Sequence, residues 1–219
     1  MLRLAMGLLV AGPAALSLVA PTPVMANAGG AGGSAAHAST QVDQAVAALR
    51  GIETLRANFV QRSDSTGQQV SGVLSLKRPG KIRFQYQRGY PVLIISDGKA
   101  LTIVDSEVKQ TQRWPIGKSP MGALLNPAKD VAQYGTLLPS LDPNVTNIRV
   151  TDRGHPEYGV MTLSFAHKAG APGGLELVGW QTMDAQNRRT TIILSGHQYG
   201  VDLGDDLFKY LDIRPNFRR

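Results

Sequence analysis

The sequence predicts a mainly β (α+β) protein, built as one large curved antiparallel sheet with helices on a single face. Two observations carry that prediction. From Leu55 to Trp114, and again from Asn144 to Gln198, apolar residues recur with a period of two between short turn signals, the pattern of adjacent hairpins. The segments between and before these runs have helical spacing but are short. The apolar faces of so many consecutive hairpins must all be covered, and one curved sheet under a layer of helices achieves this.

The elements follow in order. Arg3 precedes an apolar run from Leu4 to Ala20, and Val24-Met25-Ala26 and Ala26-Asn27-Ala28 both fit a small-residue cleavage site, so residues 1–26 read as a cleaved secretory leader. Gly12, Pro13 and the Pro21-Thr22-Pro23 break leave that run too short and interrupted for a membrane anchor. Residues 27–39 are rich in Gly, Ala and Ser without periodicity and are expected to form a flexible tether, leaving residues 40–219 as a single domain. A helix is expected from Gln41 to Arg50, with Thr40 as cap and Val42, Ala45, Val46 and Leu49 on one face.

Strands are then expected through LRANFVQR, QVSGVLSLKR, KIRFQYQ, VLIIS, ALTIVD and KQTQRW, the fourth and fifth joined at Asp97-Gly98 and the last stopped by Pro115. Ser119 and Pro120 open a short helix through MGALL, and DVAQYGTLL reads as a second helix between Pro127 and Pro139. NVTNIRVT, YGVMTLSFAH, LELVGWQTMD and RTTIILSGHQ complete the strands, the last two joined around Asp184 to Asn187.

Composition narrows the function. The 219 residues contain no cysteine, which excludes a disulfide scaffold, Cys-ligated zinc, a thiol nucleophile and a lipid anchor built on cysteine. The net charge of +7 favours an acidic partner or an anionic membrane surface, although small exported proteins also carry such charge unused. His37, His155, His167 and His197 are far apart and lack the HExxH context, so no metal site is expected. Ser195-Gly196-His197 lacks a nucleophile elbow, and Gly117-Lys118-Ser119 has Gln112 where a phosphate loop needs glycine; no catalytic constellation remains, and an exported hydrolase is the remote alternative. Asp202, Asp205 and Asp206 read as a solvated loop. Lys77, Arg78, Lys81, Arg83 and Arg88 interleave with Phe84 and Tyr86 as in a single-strand-binding sheet, but an exported chain rarely meets nucleic acid.

One stretch, KRPGKIRFQYQ, puts Ile82, Phe84 and Tyr86 on one strand face after an Arg-Pro-Gly turn. Together with Ala57-x-Phe59-x-Gln61, Gly72-Val73-Leu74, Ile95-Ser96-Asp97-Gly98-Lys99 and Gln110, it resembles the periplasmic lipoprotein carrier family LolA; Trp180 to Asp184, Gln186 to Thr191 and Phe208-x-Tyr210 fit more loosely. The resemblance implies an incomplete antiparallel β-barrel with short helices as a lid on its concave face. It also implies a soluble, monomeric periplasmic carrier without cofactor or catalytic activity. Such a carrier takes acylated lipoproteins from an inner-membrane lipoprotein-releasing transporter to an outer-membrane acceptor. A binder or sensor of free lipid or glycolipid on the same fold is the alternative.

On that resemblance, Phe59, Leu74, Leu76, Ile82, Phe84, Tyr86 and Ile94 are the candidate lipid-binding residues. Ordinary core positions are the competing reading for Ile82, Phe84 and Tyr86. Val42, Val46, Leu49, Met121, Leu124 and Leu125 are expected on the lid helices. Arg78 is the candidate latch to lid backbone groups, with a solvated turn arginine as the competing reading. Phe84 stands where the family usually has tryptophan, and Val104 where an aromatic is common, so the sheet face is expected to be less aromatic; the spacing from Phe208 to Pro215 is longer than the usual ending and leaves the last strand's register open.

Overall fold

In β1 (Thr54–Ser63), Leu55, Ala57 and Phe59 are buried and alternate with exposed Arg56 and Asn58, so this strand must have one covered face. The same alternation shapes β2 (Gln69–Lys77) and β3 (Lys81–Tyr86). The computed structural model describes residues 31–116, 121–127 and 130–210, with side chains from residue 37 onward other than those of residues 130 and 158. The first hairpin series continues through β4 (Val92–Asp97), β5 (Ala100–Asp105) and β6 (Gln110–Pro115). The second comprises β7 (Gly135–Leu138), β8 (Val145–Thr151), β9 (Val160–His167), β10 (Leu175–Met183) and β11 (Arg189–Tyr199).

All eleven strands form one antiparallel sheet in the order β6-β5-β4-β3-β2-β1-β11-β10-β9-β8-β7. The two hairpin series therefore meet at its centre, where β1 pairs with β11, and the sheet stays open at β6 and β7. It is strongly curled. β3 and β10 are four places apart, about 19 Å in a flat sheet, yet the rings of Phe84 and Trp180 lie 6.0 Å apart, edge to face. Register shifts in β11 between Ser195 and Gln198, opposite Asn58 and Arg56, and in β10 between Leu177 and Gly179 mark bulges, which bend strands.

The concave face is covered by α1 (Ala31–Gly51), α2 (Gly122–Leu125) and α3 (Asp130–Tyr134). The last two lie in the connection between the sheet's opposite edges, β6 and β7, so the chain must cross the open side there. Ala45, Ala48 and Leu49 of α1, Ala123, Leu124 and Leu125 of α2 and Val131 of α3 join Phe59, Leu74, Ile82, Leu163 and Phe165 of the sheet in one apolar core.

Three sequence expectations are corrected. α1 already includes Ala31, so residues 31–39, read as flexible tether, are helical and Thr40 lies inside the helix instead of capping it. Alanine is the strongest helix former, and Ala31, Ala35, Ala36 and Ala38, with no proline between them and the packed turns, extend the helix backwards. DVAQYGTLL is a helix only to Tyr134, and Gly135–Leu138 pairs with β8. The break falls on Gly135, where a Cβ would strike the Val131 carbonyl and lie 3.2 Å from Val42, so a bare backbone is needed where β7 passes under α1. Third, Asp205 is not simply solvated but ion-paired to Lys77 and Lys81. The leader at 1–26, the Ser119-Pro120 helix start, Gly117-Lys118-Ser119 and the chain beyond Tyr210 lie outside the described residues.

Candidate lipid cavity and its lid

A cavity of about 660 Å³ opens between the two limbs of the curled sheet. One wall is Phe84 of β3, Ile94 of β4, Leu101 and Ile103 of β5 and Trp114 of β6; the other is Trp180 of β10 and Ile192 of β11, with Met121 at the start of α2. These residues share one face because of register: Phe84 opposes Ile94, Ile94 opposes Ile103, and Ile192 opposes Trp180. Ser63 and Ser65 at the β1–β2 turn and Asp184, Gln186 and Arg188 at the β10–β11 turn give it one polar end. An apolar interior with a polar mouth suits an amphiphile whose chain enters first.

Of the candidate lipid-binding residues, the cavity brings together Phe84 and Ile94, with Met121 from the lid set. Phe59, Leu74, Leu76 and Ile82 do not line it. They are at most 1% exposed and lie in the core shared with the lid helices. Tyr86 is also buried, its hydroxyl donating to Gln61 Oε1 at 2.7 Å and its ring 5.1 Å from Phe59, edge to face; burial first, then Tyr90, pushes its pKa up against the opposing effect of the Gln61 bond. Gly72 lies opposite both Phe59 and Tyr86. A Cβ there would run into the Gln85 carbonyl and the edge of the Phe59 ring, so the glycine lets these aromatics close over β2.

Residue-by-residue reading missed Leu101, Ile103, Trp114, Trp180 and Ile192 as lining residues. Alternation in ALTIVD and TTIILS was a signal for their face, but the facing of β3–β6 by β10–β11 arises from the β1–β11 pairing across the whole chain. Val104 pairs with Leu93 and Thr111 and alternates with the lining residue Ile103, so it points to the other face and its departure from the usual aromatic leaves the cavity untouched. At Phe84, Trp180 packs edge to face and supplies the indole from the opposite limb.

Arg78 lies in the β2–β3 turn, at the end of β2 opposite the β1–β2 turn and its polar mouth. Its Nη1 donates to Leu124 O at 2.9 Å and to Leu125 O at 2.8 Å, and its Nη2 to Leu49 O at 2.8 Å. These are carbonyls in the last turns of α2 and α1, where the negative end of a helix dipole lies; Leu49 O also accepts a long 3.4 Å bond from Ile52 N–H. One guanidinium thus joins both helices to the sheet. Burial pushes its pKa down to about 10, which leaves it cationic at neutral pH. Val46, Leu49, Leu124 and Leu125 are buried in the core, and Val42 and Met121 are partly buried against it.

The remaining polar candidates are scattered. His155 faces Glu157, His167 lies 3.1 Å from Thr146 Oγ1, and His197 Nε2 donates to Leu177 O; among the described residues no group of three acidic or histidine side chains could hold a metal. A second cleft of about 790 Å³ is lined by Arg149, Thr151, Thr162, Gln181 and Arg189. Their register puts them on the outer face, and their polarity is unsuited to an acyl chain.

The family profile "Outer membrane lipoprotein carrier protein LolA" matches residues 50–211. An outer-membrane lipoprotein carrier protein from Xanthomonas oryzae pv. oryzae is 27% identical over 179 residues, covering 74% of this chain and 79% of the relative. One from Chromobacterium violaceum is 38% identical over 109 residues, 47% of this chain and 53% of the relative. Among solved structures, a LolA superfamily protein from Nitrosomonas europaea aligns with 79% of this chain and 98% of its own at 13% identity, with a TM-score of 0.46. Since the profile runs from the end of α1 through β11 and on to the segment that follows it, the chain belongs to the LolA family.

Proposed function

We propose that this protein is a periplasmic carrier that shelters the acyl chains of lipoproteins between its sheet and its lid, receiving them from an inner-membrane transporter and passing them to an outer-membrane acceptor. The observation that carries this reading is an apolar cavity next to a core covered by helices that a single arginine ties to the sheet. Exposed acyl chains cost about 0.8 kcal/mol per methylene in water, so a carrier needs an apolar enclosure and a way to reopen it. Breaking three hydrogen bonds from one side chain is such a way. No helix among the described residues is long and apolar enough to cross a membrane.

The volume qualifies the cargo. At on the order of 30 Å³ per methylene at liquid-like packing, 660 Å³ accommodates about 20 methylenes, the bulk of one acyl chain. That size favours a second reading, a binder of single free lipids, for the lid-closed form. Mass spectrometry of material co-purified from the native periplasm separates the two. Acylated protein supports the carrier, free lipid alone supports the second reading, and the absence of both overturns the two together.

A further inference from the structure

The latch arginine sits between two lysines. Lys77 ends β2, Lys81 opens β3, and the two are direct cross-strand partners at the neck of the hairpin that carries Arg78. Like charges placed opposite one another in a sheet destabilise the pairing, and here a third cation occupies the turn. One carboxylate offsets them: Asp205 Oδ1 lies 2.8 Å from Lys77 Nζ and 2.9 Å from Lys81 Nζ.

Asp205 comes from residues 203–208, which lie on the outer face of the sheet, opposite the lid. Leu203 and Phe208 anchor this strap at 2% and 1% exposure, Phe208 beside Ile95 and Thr102 of the outer face. Its backbone is held by Lys77 Nζ to Leu203 O at 2.8 Å and Arg83 Nη1 to Leu207 O at 3.2 Å. We propose that Asp205 is a positioning residue for the lid latch. By bridging Lys77 and Lys81 it fixes the hairpin neck, so that docking of the strap on the outer face sets how firmly Arg78 holds the helices on the inner face.

This inference rests on the carrier reading for its role in transfer, but the coupling itself is testable without cargo. Hydrogen bonds to the two lysines hold the Asp205 carboxyl down at about 2, so the bridge is intact at neutral pH. The neighbouring Asp206 supplies an internal control, because its ion pair is with Lys209 and not with the hairpin.

Amide exchange in cargo-free protein, read over residues 42–51 and 122–125, is the direct test. Asp205→Asn is expected to speed exchange in both segments by roughly two- to fivefold, the modest size expected of half-exposed pairs, with Asp205→Glu restoring the wild-type rate and Asp206→Asn changing nothing. In an Arg78→Leu background Asp205→Asn should add nothing, since the latch it positions is gone. Equal behaviour of Asp205→Asn and Asp206→Asn, or additivity with Arg78→Leu, overturns the proposal. Release of a dansyl-labelled two-chain phospholipid, measured in parallel, should slow wherever exchange quickens. If wild-type protein binds none of this probe, the carrier reading fails while the exchange result still decides the coupling.

Discussion

Arg78→Leu is the substitution that most directly interrogates the lid. It removes three charge-assisted bonds, to Leu49, Leu124 and Leu125 carbonyls, which at about 1.5–3 kcal/mol each amount to about 5–9 kcal/mol. Against this stands the burial of the guanidinium, including Nε, which is buried without a hydrogen-bond partner. The fall of its pKa from 12.5 to about 10 corresponds to about 3 kcal/mol of desolvation. The net is at least about 2 kcal/mol in favour of closure, so Arg78→Leu should lower the closed-to-open ratio by roughly 30-fold or more. Amide exchange over residues 42–51 and 122–125 should quicken by that factor while the paired centre of the sheet, β1 with β2 and β11, stays protected. A bound probe with two acyl chains should be retained longer, because the closed lid that competes with its second chain is weakened. Arg78→Lys should fall between, since an ammonium lacks the fork that reaches two helices at once. Wild-type exchange in both helices and wild-type probe release would refute the latch, whatever the effect on overall stability.

Three further expectations follow from the same geometry. The chain's two tryptophans, Trp114 and Trp180, both line the cavity, so a brominated fatty acid should quench most of the intrinsic fluorescence; saturable binding without quenching would move the site elsewhere. Ile82→Glu places a carboxylate at a position with 0% exposure, costing several kcal/mol if the lid stays shut, and should lower the urea midpoint or open the lid segments to exchange; neither change would mean that Ile82 is not sealed beneath the lid. The Asp205 carboxyl is held at about 2 against an ordinary 3.8. A depressed carboxylate stabilises above its unfolded pKa and loses that contribution as pH falls through the folded one. The stability difference between wild type and Asp205→Asn should therefore be constant above about pH 5, begin to fall as pH drops through 4 and collapse towards pH 2; a change near neutrality would implicate another group.

The strands were legible because half-buried strands advertise themselves: Leu55, Ala57 and Phe59 against Arg56 and Asn58 need no partner to be recognised. Arg78 was legible for a different reason, since its setting in RPGKIRFQY matches a family pattern. The cavity was less so. Phe84 and Trp180 are nearly a hundred residues apart in sequence, and no local period says that the strands bearing them face each other across a curl. Leu74 and Ile82 have the same alternating signature as Ile94, yet the first two sit under helices and the third lines a void. Alternation reports which face a residue is on, not what lies over it. The strap was hidden for a related reason. Phe208 belongs to the loosely matching ending, and nothing local says that Ile95, rather than its apolar outer-face neighbours Leu93 and Val104, is the residue sealed at 2% exposure on the convex side.

Under the proposed carrier role, the mixture of a ready cavity and a filled core has a consequence for handover. A first acyl chain finds space already present, so the about 20 methylenes that fit gain on the order of 16 kcal/mol over water without disturbing the lid. A second chain of similar length finds none, and must take the surface now covered by Val46, Leu49, Leu124 and Leu125. Uncovering those four side chains costs about 6–12 kcal/mol at 1.5–3 each, and parting Arg78 from its carbonyls adds about 2. The second chain's net gain is then about 2–8 kcal/mol, half the first chain's at most. Cargo with several chains would be held by one strong and one or more weak attachments, with the closing lid always competing for the weak ones. In the proposed carrier role, an acceptor would need to capture only a weakly held chain first, and reclosure of the lid would then oppose its return. On this account the strength of Arg78's hold sets the order of release, and the depth of the preformed cavity sets how much affinity the last chain must overcome.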